Sequence, residues 1–189
     1  MIQSVNFRLA DALPQALLAR WQTELALSSQ PESARAIELR RRVEKYLDAG
    51  HGACWLRRPE IASIVEDALR HFDGQRYRLL AWCIMPNHVH ALIETMEGFP
   101  LGDLLHSWKS FTSKRANQWL GRTGAFWQRE YLDRYVRHAG HFTDVLNYIE
   151  DNPVKARLAK LRTEWAWSSA RYRAANPGTA GVPPASFKT

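Results

Sequence analysis

Hydrophobic and polar positions change period several times along this chain, and each period predicts an element. Val5 and Phe7 alternate with polar neighbours over residues 4–8, which predicts a short first strand. Residues 14–49 turn to helical spacing through LPQALLARW and ARAIELRRRVEKYLDAG, with Pro31 dividing two helices and Gly50 closing the second. HGACWLRRPE reads as a loop or short strand. Over residues 59–72, Ile61, Ile64, Val65, Ala68 and Leu69 recur at helical spacing, and Pro59 suits the first turn. Residues 77–85 are a mostly apolar run, the pattern of a buried strand. Pro86-Asn87 marks a turn, and residues 88–95 complete a hairpin. Residues 101–120 read as a helix and 126–137 as a strand crowded with aromatics. Residues 141–158 form a helix with Phe142, Val145, Leu146 and Ile149 on one stripe, and a shorter segment spans 165–172. No internal repeat interrupts this order.

Strand, helices, strand, strand, helix, strand, helix predicts an α+β sandwich with helices over a mainly antiparallel sheet. The ferredoxin-like, split βαβ arrangement fits best, with 14–49 as a helical insertion near the N-terminus. Residues 1–175 are expected to form one domain, and the Pro/Gly/Ala-rich residues 176–189 a disordered tail.

Composition narrows the setting. The chain has 189 residues, 46% hydrophobic and 24% charged, as in globular proteins. The longest apolar stretch, residues 79–85, is far too short to span a bilayer, so no membrane partner is expected. MIQSVNFRLAD lacks a basic start followed by an apolar core, so no secretory signal is expected. Cys54 and Cys83 form no CxxC pattern, which favours a reducing cytoplasm. Charge is more telling. Residues 1–100 hold 12 basic and 12 acidic side chains, whereas 101–189 hold 14 and 7, so the whole net charge of +7 lies in the second half. That asymmetry points to a polyanion, nucleic acid first, although plain solubility would also explain it.

Three constellations carry chemistry. The first is His88-Val89-His90. Strand alternation sets His88, His90, Leu92 and Glu94 on one face and Val89, Ala91 and Ile93 on the apolar other. Two imidazoles side by side suit one divalent metal, though such a pair is also common on ordinary strands. A histidine-triad hydrolase would need a third alternating His, and position 92 is Leu. The second constellation is Tyr148 with Asn152, one turn apart on a helix face. A phenol becomes a useful nucleophile when its target phosphate is polarised or a base takes its proton; otherwise such a Tyr simply covers the core edge. The third is FWQREYLDRYVR, in which Trp127, Arg129, Tyr131, Asp133, Tyr135 and Arg137 share one strand face, with Arg134 beside them. Bases stack on aromatic rings while Arg meets phosphate, so this strand suits single-stranded DNA, unless its aromatics serve the core. Lys109, Lys114 and Arg115 on the preceding helix add candidate phosphate contacts.

Together CIMPNHVHALIE, FWQREYLDRYVR and YIEDNPVKARL resemble the REP-associated tyrosine transposases, of the single-tyrosine, His-hydrophobic-His superfamily. The resemblance covers about residues 1–172. It implies that Tyr148 is the nucleophile and that His88, His90 and Asn152 hold Mg²⁺ or Mn²⁺. The implied activity is a metal-dependent single-stranded DNA endonuclease and strand transferase. It would act at palindromic hairpin repeats through a 5′-phosphotyrosine. The implied partner is single-stranded or hairpin DNA, bound by a monomer or homodimer in the cytoplasm, at the nucleoid. The alternative is a domesticated, non-catalytic protein that recognises the same hairpins.

Overall fold

The computed structural model describes residues 1–176. Of the expected tail, all but Asn176 lies outside the described residues. Four strands, β1 (Ile2–Arg8), β2 (Tyr77–Ile84), β3 (His88–Thr95) and β4 (Leu132–Tyr135), form one sheet in the order β2-β3-β1-β4. Every neighbouring pair is antiparallel. Helices α1 (Gln15–Ala26), α2 (Glu32–Asp48) and α3 (Pro59–Arg70) separate β1 from β2, and α4 (Leu101–Leu120) separates β3 from β4. Helices α5 (Ala139–Lys155) and α6 (Ser169–Ala175) follow. The two βαβ units each straddle a strand of the other, which is the expected ferredoxin-like arrangement. Where a loop or short strand was expected before α3, a single 3₁₀ turn covers Trp55–Arg57.

Both sheet faces are covered. Val5, Phe7, Val89, Ala91 and Ile93 pack with Ile61, Val65 and Leu69 of α3 and with Leu104, Leu105 and Trp108 of α4. On the other face Ala81, Cys83 and Leu92 meet Phe142 and Ile149 of α5, with Val145 and Leu146 packed beside them. The histidine face is therefore an interior too, roofed by the α5 stripe.

Two devices fix α5. Its buried Glu150 accepts from Ser169 at 2.6 Å and is ion-paired by Arg173 and Arg162, which ties α5 to the chain after it. That chain also straps onto β2: Trp165 Nε1 donates to the Ile84 carbonyl at 2.9 Å, and the Ile84 amide donates to the Trp167 carbonyl at 2.9 Å. A buried carboxylate keeps its charge only when paired in this way.

The expected strand over 126–137 is corrected. Only Leu132–Tyr135 pairs as a ladder, with one isolated bridge from Trp127 to Leu9. Side chains take the backbone groups nearby: Lys109 Nζ donates to the Gln128 and Arg129 carbonyls at 2.7 and 2.9 Å. Gln128 Nε2 in turn holds the Leu13 carbonyl at 2.6 Å. The alternation therefore fails. Trp127 turns inward, 6% exposed, edge-on to Phe7, and donates from Nε1 to Thr112 Oγ1 at 2.8 Å. It is a core residue, with no face left for a base.

Trp127→Ala should cost about 3–5 kcal/mol in urea unfolding, as a large buried aromatic does. Arg129→Ala, at an exposed position two residues further on, should stay within about 0.5 kcal/mol of the parent. Equal, small losses at both positions would refute the inward placement of Trp127.

Candidate active site

Strand alternation delivers His88 and His90 to the face that α5 covers. Both are buried, 0% and 2% exposed, and their Nε2 atoms lie 3.0 Å apart. The network assigns the protons. Asn87 Nδ2 donates to the His51 carbonyl at 2.9 Å, so its Oδ1 turns to His88 and accepts from Nδ1 at 2.8 Å. His88 Nε2 is then the bare nitrogen, and the 3.0 Å contact is a proton on His90 Nε2 shared with it. Burial pushes both imidazoles down, His90 to about 3 with help from the Lys155 charge, and His88 well below its ordinary value with help from His90 and Arg8. Both are neutral at physiological pH, as metal ligands must be.

Tyr148 on α5 stands edge-on against His90, with ring centroids 5.7 Å apart and an interplanar angle of 86°. Burial pushes its phenol up, and the charges of Glu44 and Asp48 push it further. The Glu44 carboxylate lies beside its hydroxyl. Lys155 Nζ sits 4.4 Å from the ring centroid. Asn152, one turn further on, is fully buried beside the phenol, yet neither Oδ1 nor Nδ2 has a hydrogen bond of good geometry. His90, Tyr148, Glu44 and Lys155 line a cleft of about 690 Å³, with Arg40 and Arg134 on its walls.

A divalent ion fits the residues present. Two ligands about 2.1 Å from one ion and at right angles are about 3 Å apart, which is the separation of the two imidazole nitrogens here. Around them, buried oxygens of Asn6, Asp48 and Asn152 lack partners. Imidazole with amide and carboxylate oxygen suits Mg²⁺ or Mn²⁺. Among the described residues, no three His, Cys, Asp or Glu side chains converge in place, and Asp48 Oδ1 stands 3.7 Å from His88 Nε2. Burial and the Glu44 charge raise Asp48 to about 6.

Four contributors escape the sequence reading: Glu44 and Asp48 of α2, Lys155, and Arg8. Arg8 lies cross-strand from His88 on the same sheet face, 2% exposed, with Nη1 unpartnered. The helical insertion is thus part of the site and supplies its carboxylates. The expected DNA contacts divide. Arg134 walls the cleft, while Arg129 and Arg137 are exposed and Tyr131 is half-buried under Lys109. The Lys109 ammonium is committed to backbone carbonyls, and Lys114 and Arg115 lie on α4, across the sheet.

Comparison with known proteins places this arrangement. The family model described as "Transposase IS200 like" matches residues 57–152, half of the chain, and the chain belongs to that family. A Haemophilus influenzae protein named as a REP-associated tyrosine transposase is 24% identical over 120 residues. That match covers 58% of this chain and 66% of the relative, just under two thirds of its length. The structure of a REP-associated tyrosine transposase bound to a REP hairpin superposes with a TM-score of 0.56. It is 17% identical, with 97% of this chain and 82% of that one covered, so the likeness is one of fold. Among the described residues no helix is long and apolar enough to cross a membrane.

Isothermal titration with Mn²⁺ should show one site that His88→Ala or His90→Ala removes. Asp48→Asn should weaken it about 10–100-fold, the usual cost of losing a supporting polar partner. Unchanged Mn²⁺ binding in the His88→Ala/His90→Ala variant would make the pair purely structural.

Proposed function

We propose that this protein cuts and rejoins single-stranded DNA at hairpin-forming repeats, with Tyr148 as nucleophile. The observation that carries the reading is the contact of Tyr148 with His90, whose Nε2 meets that of His88, in a cleft that sets Arg40, Arg41, Arg134 and Lys155 among an equal number of carboxylates. The fold likeness to a transposase bound to a REP hairpin supports the hairpin as substrate.

The chain's own groups divide the work. His88 and His90, with Asn152, would hold Mg²⁺ or Mn²⁺. Once bound, the ion polarises the scissile phosphate and offsets charge in the transition state. Lys155 and Arg134 meet phosphate oxygens at the cleft, and Arg8 keeps a fixed positive charge beside His88. Tyr148 Oη attacks phosphorus in line. Its proton passes to Glu44, the carboxylate beside its hydroxyl. The new O–P bond makes a 5′-phosphotyrosine; the bond to the 3′ oxygen breaks, and that oxygen leaves as an alkoxide that becomes the 3′-OH by taking a proton from water, to which Glu44 gives up the proton it accepted. Attack by a DNA 3′-OH on that linkage reverses the step, returns the proton to Tyr148 and rejoins a strand. Bond energy is kept in the phosphotyrosine, so no nucleotide triphosphate is required. A reaction on DNA in a chain of this composition belongs at the nucleoid.

Tyr148→Phe removes one oxygen and little volume. With hairpins from the flanks of its own gene, cleavage should fall at least 10³-fold and the covalent adduct disappear on a denaturing gel, while hairpin affinity holds within about twofold. His88→Ala, His90→Ala or chelation of the metal should have the same effect, and Glu44→Gln should slow cleavage about 10²–10⁴-fold, as loss of a proton acceptor does. Wild-type hairpin binding with no nick and no adduct in Mn²⁺ would sink the catalytic reading in favour of a DNA-binding protein.

A further inference from the structure

The outer face of α4 carries chemistry that the cleft does not use. The helix packs on the sheet through Leu104, Leu105, Trp108, Thr112 and Ala116, all buried. Along one flank of that stripe, at i, i+4 and i+8, it presents Phe111, Arg115 and Trp119, the two aromatics 53% and 45% exposed, with Lys114 exposed one turn after Phe111. Exposed aromatics grouped with one another and rimmed by cations, rather than scattered singly, mark an interaction site. Trp119 is also part of a ladder. The Arg58 guanidinium lies 5.5 Å from its ring centroid and 5.4 Å from that of Trp55. Arg58 therefore stands between two indoles, which holds this otherwise exposed set of side chains in one arrangement. Among the described residues, no carboxylate forms an ion pair with Arg58, Lys114 or Arg115.

We infer that the outer face of α4, with Trp55 and Arg58, is a second binding platform, for single-stranded nucleic acid. The inference rests on the nucleic-acid reading above and adds a place to it. Unpaired bases offer flat faces to Phe111, Trp119 and the Arg58 guanidinium, while the phosphates between them meet Lys114 and Arg115. Phe111 and Trp119 are eight residues apart, about 12 Å along the helix, so one short strand can touch both. A duplex fits less well, since its phosphates would occupy the cations but its bases are stacked away from the rings. A protein partner would have to bury three unpaired cations along with the aromatics, at a desolvation cost.

The platform is separate from the cleft. On β3, Val89, Ala91 and Ile93 face α3 and α4, whereas His88 and His90 face α5. The whole sheet lies between the two surfaces. A strand held on α4 is not the phosphodiester at Tyr148, so the platform retains DNA while the cleft acts on another part of it. Lys114 and Arg115, expected from sequence to serve the same surface as Arg134, work here instead.

Anisotropy with a labelled oligothymidine, which forms no hairpin, reads single-strand binding apart from hairpin recognition, and the platform variants report its share. The Phe111→Ala/Trp119→Ala variant should bind it at least tenfold more weakly, with unchanged melting temperature because both side chains are exposed. Lys114→Gln/Arg115→Gln should also weaken binding and flatten the salt dependence by about 1.4 in log–log slope, for two phosphates lost. His88→Ala/His90→Ala should bind oligothymidine as the wild type does. Wild-type affinity in the double aromatic variant would overturn the inference, as would a blunt duplex bound as tightly as the oligomer. So would a change in the sedimentation of the aromatic variant alone, which would make the face a contact between copies. Loss of the hairpin adduct in the wild type, with oligothymidine binding intact, would sink the catalytic reading and leave the platform standing.

Discussion

The site depends on two neutral imidazoles held 3.0 Å apart inside an apolar layer. A polar ring buried without partners costs free energy, so each ring must be satisfied on both sides. His88 has Asn87 at one nitrogen and His90 at the other. His90 has His88, the Asn6 amide 3.3 Å from its ring nitrogens, and the edge of Tyr148. The arrangement shares a single proton between two lone pairs that point at each other. A divalent cation held by both ring nitrogens would take the place of that proton, with the rings turned toward it rather than toward each other.

Rigidity around the pair follows from the layers. β3 is the second strand of the sheet and is paired on both sides, so the histidine backbone cannot slip register without turning every side chain to the wrong face. α5 is pressed on that face by Phe142 and Ile149 and tied to the following chain by Glu150 with Arg173 and Ser169. Tyr148 and Asn152 thus ride on a helix fixed at its centre and end. A proposed nucleophile needs such a mounting, since small displacements from in-line geometry cost large factors in rate.

Much of this was legible in the chain. Period-two alternation over 88–95 put the histidines on one face and the valine, alanine and isoleucine on the other, and the sheet confirms it. The stripe Phe142, Val145, Leu146, Ile149 gave the packing side of α5, and with it the flanking place of Tyr148. The contributions of α2 were not legible. Nothing in the local pattern singles out Glu44 or Asp48, and only tertiary docking brings Asp48 within 3.7 Å of His88, forty residues away. Arg8 looked like the end of a strand because burial of a lone cation has no local pattern. Residues 126–137 misled for the opposite reason: their alternation is regular, but Lys109 and Gln128 capture backbone carbonyls there and Trp127 turns into the core.

The central claim is that Tyr148, and no other tyrosine, is the group that joins DNA at the histidine pair. Tyr131 and Tyr135 lie on the neighbouring segment and are its nearest rivals in sequence, but neither makes ring contact with His88 or His90. Trapping the protein on a hairpin in Mn²⁺, digesting the adduct and mapping the modified peptide by mass spectrometry tests this directly. The account predicts a nucleotide remnant on Tyr148, in the α5 peptide that also carries Asn152. A remnant on Tyr131, Tyr135 or any other residue would contradict it.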